Sequence, residues 1–159
     1  MTVRRATKTD VDALVRLRVQ MFVDMDRDVG QQDTPWRVRA AEWFAGRIDS
    51  PDFAAFVVDD PELGVVSVAA GTWENGVPGP HNVAGGRGHV FNVSTDPRCR
   101  RRGFARLCVT ALLDWFDDET DVAVVGLSAT DDAVGLYTSL GFEPSHHPEL
   151  RRRRGMLVS

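Results

Sequence analysis

The chain is 159 residues long, enough for one domain with a real core, and its 43% hydrophobic and 26% charged content excludes a disordered chain. No apolar run approaches the roughly 18 residues a bilayer span needs, and the N-terminus lacks the apolar core of a secretory signal. A soluble, cytoplasmic protein without a membrane partner is therefore expected. Net charge is −4, yet nine arginines fall into two short clusters: Arg98, Arg100, Arg101, Arg102 and Arg106, then residues 151–154. An acidic body with focused arginines speaks against a nucleic-acid partner, which wants a broad basic face, and for a local anion site. The two cysteines, Cys99 and Cys108, do not make a disulfide framework.

In chain order, residues 3–6 read as a short first strand. Thr9 to Asp12 has capping-box spacing, and Val11, Leu14, Val15 and Phe22 then recur at helical intervals. A polar, acidic segment covers 24–34. Pro35 stands at the start of a second helix over 36–48. Residues 53–58 and 65–73 read as two strands joined by a turn-rich link. Residues 75–88, rich in glycine, form a loop, and 89–94 form the next strand. A helix over 104–116 follows, with Phe104, Leu107, Cys108, Ala111, Leu112, Trp115 and Phe116 on one face. The apolar run 122–127 predicts a buried, parallel strand. A shorter helix over 131–140 ends at Gly141, and Phe142 opens a last strand. The order is β-α-α-β-β-β-α-β-α-β in one domain, an α/β fold.

Between the fourth strand and the third helix stands Asp96-Pro-Arg-Cys-Arg-Arg-Arg-Gly-Phe-Ala-Arg106. A helix N-terminus carries unpaired N–H groups and partial positive charge. Gly103 lets backbone approach a ligand closely, and the arginines add forked donors. Together they make a cradle for a phosphorylated small molecule.

Those residues resemble the GNAT superfamily of acyl-CoA-dependent N-acetyltransferases. The family's pyrophosphate loop, Arg/Gln-x-x-Gly-x-Gly/Ala, reads here as Arg100-Arg101-Arg102-Gly103-Phe104-Ala105. A second signature, Ala then Tyr then Gly-Phe, reads as Ala133, Tyr137, Gly141 and Phe142. The resemblance implies a central mixed sheet of six to seven strands with helices on both faces, and acetyl-CoA as co-substrate. It implies that the fourth and fifth strands splay, so that pantetheine pairs with backbone of Val93, Ser94 and Thr95. Backbone N–H groups from Arg101 through Arg102, Gly103, Phe104 and Ala105 to Arg106 would hold the pyrophosphate. Arg98 or Arg102 is a candidate for the adenosine 3′-phosphate. The acetyl carbonyl would meet an N–H near Asn92 and Val93.

Tyr137, the only tyrosine, sits at the family's tyrosine position and would protonate the leaving thiolate. His89 and Glu74 are the candidate bases, the latter through a water. The acceptor would be a small-molecule or peptide amine. The sequence departs from the family at three places. Thr130 stands where an upstream Asn is expected to contact CoA, or that position is shifted to Asp131. Cys99 replaces an aromatic residue before the loop. Ser128 follows Leu127 where one branch of the superfamily has histidine.

No metal is expected. Asp24-x-Asp26-x-Asp28 resembles a calcium loop but has Val29 and Pro35 at positions needing Gly and Glu. His146 and His147 have no ligand set nearby. Residues 151–154 read as a solvated tail, or as a contact between copies in a homodimer. Two other functions fit parts of the chain. One is an acyl-CoA-binding module without catalysis. The other is a serine hydrolase, since Gly126-Leu-Ser128-Ala-Thr130 comes within one residue of a nucleophile elbow.

Overall fold

A computed structural model describes residues 2–155 of the chain. These residues divide into two compact units, up to Ser128 and from Ala129 onward.

The first unit is built on a sheet of five strands in sequence order: β1 (Val3–Arg5), β2 (Phe53–Asp60), β3 (Gly64–Glu74), β4 (Arg87–Thr95) and β5 (Val124–Gly126). Neighbours from β1 to β4 run antiparallel, while β5 pairs with β4 in parallel. Three helices accompany it: α1 (Val11–Asp24), α2 (Pro35–Arg47) and α3 (Phe104–Glu119). The fold is the expected mixed α/β class, but five strands form among the described residues rather than six to seven. The strand expected from Phe142 does not form among the described residues. Pro144 and Pro148 lack the N–H a ladder needs, and residues 149–154 crowd charge without alternation.

Strands β2 and β3 are buried on both faces, which explains their near-continuous runs of Ala and Val. On one face, Phe53, Ala55, Val57, Val68 and Ala70 pack with Leu14 and Leu17 of α1 and Phe44 of α2. On the other face lies α3, whose buried stripe is Phe104, Cys108, Val109, Leu112, Trp115 and Phe116. Val109 takes the place expected for Leu107, which is exposed.

Two glycines let α3 approach. A Cβ on Gly71 would lie 2.9 Å from the Phe116 ring, and one on Gly88 would lie 2.6 Å from it. Gly88 is thus blank because Phe116 occupies the space above it, and this contact seats α3 against β4.

The start of α1 differs from expectation. The reciprocal cap is set two residues earlier than Thr9: the Thr7 N–H donates to the Asp10 carboxylate at 2.7 Å, closing a one-turn 3-10 helix over Lys8–Asp10. Asp10 is buried, and Arg4 donates to both of its oxygens at 2.8 and 2.9 Å. That pairing holds the Asp10 carboxyl below its ordinary range.

The second unit contains a six-residue helix, α4 (Val134–Ser139), shorter than the predicted 131–140. It closes as expected at Gly141, whose φ of 96° is left-handed.

The Gly88–Phe116 contact yields a test. Gly88→Ala should destabilise the fold by about 1–3 kcal/mol, read from denaturant unfolding. Adding Phe116→Leu to Gly88→Ala should recover part of that loss, since the smaller side chain frees the space.

Candidate active site

The site begins at a mismatch in the sheet. β3 pairs along the whole of β4, from Glu74↔Arg87 to Ser67↔Thr95. β5 pairs with β4 over three residues only, Arg87↔Val124, Gly88↔Val125 and His89↔Gly126. Beyond His89, no described strand pairs with the outer edge of β4 from Val90 to Thr95. Val93, Ser94 and Thr95 therefore lie on an open edge, the geometry an extended ligand can complete as an added strand would.

That edge is also bent. Val68 pairs with Ser94 and Ala70 with Phe91, so Asn92 and Val93 together oppose the single residue Ala69. This is a β-bulge, and Asn92 carries it with a left-handed φ of 55°. Asparagine is one of the few residues that tolerate this conformation. Its buried side chain is tied to α1. The Asn92 amide donates to the Leu14 carbonyl at 3.2 Å, and its Oδ1 accepts from Arg18 Nη1 at 3.1 Å. The bulge re-aims the backbone N–H groups next to the open edge.

After Thr95 the chain makes a built turn. Asp96 is buried and accepts from the Arg98 N–H at 3.0 Å, Nε at 3.0 Å and Nη2 at 2.7 Å. Hydrogen bonds from the Arg98 side chain hold the Asp96 carboxyl down at about 2. Arg98 is thus engaged within its own turn rather than poised for a phosphate. Arg100 donates through Nε to the Thr95 carbonyl at 3.1 Å and through Nη2 to Asp24 at the end of α1. Its side chain is likewise structural. Arg101 and Arg102 are exposed and in no ion pair among the described residues.

The backbone then turns left-handed twice, at Arg101 (φ 65°) and Gly103 (φ 77°). Gly103 is the N-cap of α3, and the first helical bond is Leu107 N–H to the Gly103 carbonyl at 3.1 Å. The N–H groups of Phe104 and Ala105 precede that bond and face out of the helix end. Phe104 is buried, fixing the helix start, while Arg106 is exposed. A pair of left-handed residues followed by a helix N-terminus is a concave anion cradle. A Cβ on Gly103 would meet nothing within 4 Å, so the glycine answers to backbone conformation rather than to crowding.

His89 and Glu74 come together on one face. Thr72 pairs with His89 and Glu74 with Arg87, so the two candidate bases are diagonal neighbours on the α2 side of the sheet. Both are exposed. The His89 ring stacks on Phe91, 5.9 Å between centroids and 9° between planes. It stands at the last rung before β5 departs.

In the second unit, Tyr137 is buried and its ring packs edge-on against Phe142 at 5.8 Å. Burial pushes its phenol above the ordinary range. Thr130 is exposed, and its carbonyl accepts from the Ala133 N–H at 2.9 Å, starting the turn into α4.

Other sequence candidates lead elsewhere. Ser128 is exposed, and no helix follows β5 until Val134, so the strand–turn–helix of a nucleophile elbow does not form. Cys99 and Cys108 are both buried, and burial pushes the Cys108 thiol up to about 12. Asp24 is paired with Arg100, and Asp28 accepts the Gly30 N–H at 3.0 Å. Among the described residues no group of three His, Cys, Asp or Glu side chains could hold a metal ion. No helix there is long and apolar enough to cross a membrane. Sequence reasoning missed Asp96 as the keystone of the loop and the Arg18–Asn92 bond.

Residues 13–142 match the acetyltransferase (GNAT) family. No curated protein sequence matches the chain. Among solved structures, a predicted acetyltransferase with acetyl-CoA from Clostridium acetobutylicum superposes with a TM-score of 0.80 at 18% identity, over 94% of this chain and 95% of that one. A GCN5-related N-acetyltransferase from Ralstonia eutropha gives 0.79 at 22% identity, over 94% and 97%. Glucosamine-6-phosphate N-acetyltransferase from Arabidopsis thaliana gives 0.71 at 16% identity, over 95% and 97%. At these identities the likeness is one of fold.

The Asp96 turn sets a pH test. A carboxyl held near 2 in the folded chain contributes stability that is full above the ordinary carboxylate pKa of about 4, and that is lost as pH falls toward 2. Asp96→Ala should therefore cost about 1–2 kcal/mol at pH 7 and much less at pH 2. Thermal unfolding of both proteins across that range checks it.

Proposed function

The chain belongs to the acetyltransferase (GNAT) family, and from that premise we propose that it transfers acetyl from acetyl-CoA to a primary amine by direct attack in a ternary complex. The observation that carries this reading is the bulged, open edge of β4 running into the left-handed loop before α3. These elements suit the two ends of one ligand. Pantetheine would pair with Val93, Ser94 and Thr95, and the pyrophosphate would take N–H groups from Arg101 to Arg106. In this assignment the arginine side chains matter less than the backbone, because Arg98 and Arg100 are held by Asp96, Thr95 and Asp24.

The chemistry needs three services. A backbone N–H at the Asn92–Val93 bulge would stabilise the oxyanion as the amine nitrogen attacks the thioester carbon. His89, or Glu74 through a water, would take the proton the amine loses. The carbon–sulfur bond then breaks, and the thiolate takes a proton from Tyr137. A phenol with a raised pKa keeps that proton at neutral pH, which suits an acid needed only at the end.

Binding is tested first. Acetyl-CoA at a hundredfold excess over its Kd should stabilise the fold by about 2.7 kcal/mol. Gly103→Val should weaken acetyl-CoA binding about 10-fold or more, because a β-branched residue is strained at that left-handed φ. Tyr137→Phe should leave that affinity within about 3-fold while lowering kcat about 100-fold. Thiol release reads the turnover, and both protein cysteines are buried away from the reagent. Acetyl-CoA binding with no thiol release across an amine panel would favour the non-catalytic binding module instead.

A further inference from the structure

The α1–α2 side of the sheet holds an arginine whose partners do not account for it. Arg18 is half-buried on α1, and burial lowers its guanidinium pKa. One N–H reaches Asn92 Oδ1 at 3.1 Å, and the guanidinium carbon lies 4.9 Å over the Phe22 ring. No carboxylate pairs with it among the described residues. Its neighbours on the same scaffold differ. Arg16, two residues earlier, reaches the Val65 carbonyl at 2.7 Å and lies 3.9 Å from Asp96, and Arg98 and Arg100 are each paired with a carboxylate. Its remaining N–H donors are uncommitted to any protein group and none is sealed from solvent, so a ligand can take them up.

Its position gives those donors a use. Arg18 touches the residue that carries the bulge, and His89 and Phe91 lie on the same side of the sheet. The Phe22 ring it covers meets Trp36 edge-on at 5.7 Å, and Arg27 and Arg37 lie 5.8 Å from the Phe22 and Trp36 rings. Neither of those two arginines is in an ion pair among the described residues. Nearby carboxylates do not reach this group. Asp24 is held by Arg100 and Gln20, Asp28 by the Gly30 N–H, and Asp26 and Asp33 are exposed.

We propose that Arg18 is a specificity residue for the acceptor, binding an oxyanion, carboxylate or phosphate, that the acceptor carries near its reactive amine. The assignment rests on the acetyl-transfer reading above. A guanidinium fork can give such a group two parallel hydrogen bonds while Asn92 keeps the third donor in place. The acceptor class is then an amino acid, an acidic peptide end or an amino phosphate, rather than a polycationic amine.

The test uses the full chain at saturating acetyl-CoA. Thiol release is measured with the common α-amino acids and β-alanine, each beside its carboxamide, and with O-phosphoethanolamine beside ethanolamine. At least one anionic member should exceed its uncharged counterpart in kcat/KM by about 30-fold or more, the size of a charge-assisted hydrogen-bond pair. The two series distinguish carboxylate from phosphate. Arg18→Met should remove that preference chiefly by raising KM for the anionic amine, and Arg18→Lys should restore part of it. Should Arg18→Met fail to fold, Arg18→Lys and the wild-type preference still decide. Equal rates within every pair, no release with any anionic member, or equal losses for both members in Arg18→Met would each overturn the proposal. Calorimetry separates the two readings: absent acetyl-CoA binding defeats acetyl transfer itself, whereas binding without anion preference defeats this inference alone.

Discussion

Strand β4 is held by β3 along its whole length and by β5 for three residues, and the candidate site is built around that imbalance. Strand backbone left without a neighbour must find hydrogen-bond partners in water or in a ligand. Here the open stretch is also the bulged stretch, because Asn92 and Val93 share one opposing residue. The bulge would be unstable if it were free to slide. Asn92 pins it by bonding the Leu14 carbonyl and Arg18 on α1, while Phe116 of α3 presses on Gly88 from the other face. Two helices on opposite sides thus hold one irregular strand in place.

The arginine-rich loop divides its work in an unexpected way. Its charge suggests side chains reaching for phosphate, yet two of them, Arg98 and Arg100, are taken up by neighbouring protein groups. Asp96 gathers Arg98, and Arg100 bridges the end of β4 to the end of α1. These contacts shape a backbone with two left-handed residues leading into a helix N-terminus, and the backbone is what presents N–H groups. Arg18 shows the converse: an arginine over the Phe22 ring that gives one N–H to Asn92 and pairs with no carboxylate among the described residues. In the proposed reaction the loop takes the nucleotide end of acetyl-CoA and the α1 face takes the acceptor.

Much of this was legible in residue pattern. The sequence of strands and helices along the chain, the three long helices and the loop before α3 follow from periodicity and from a basic, glycine-containing turn between a strand and a helix. The short fifth strand was overextended because Val122 to Leu127 is apolar throughout, while its pairing ends where the strands part. The last strand was expected from element order, against the local evidence of two prolines and crowded arginines. The bulge had a faint signal, since asparagine inside an apolar strand is a residue that tolerates positive φ. Arg18 had one too, set four residues from both Leu14 and Phe22 and so on one helix face with them. Neither could be read as functional without knowing which strand lay opposite.

Amide hydrogen exchange with and without acetyl-CoA tests the proposed placement of that ligand along β4 and the loop before α3. In this placement acetyl-CoA slows exchange at residues 93–95 on the open edge of β4 and at residues 101–106 before and within the first turn of α3. Protection confined to the other end of the sheet, at the acidic cleft lined by Trp73, Asp118 and Asp121, with residues 93–106 unchanged, would contradict it.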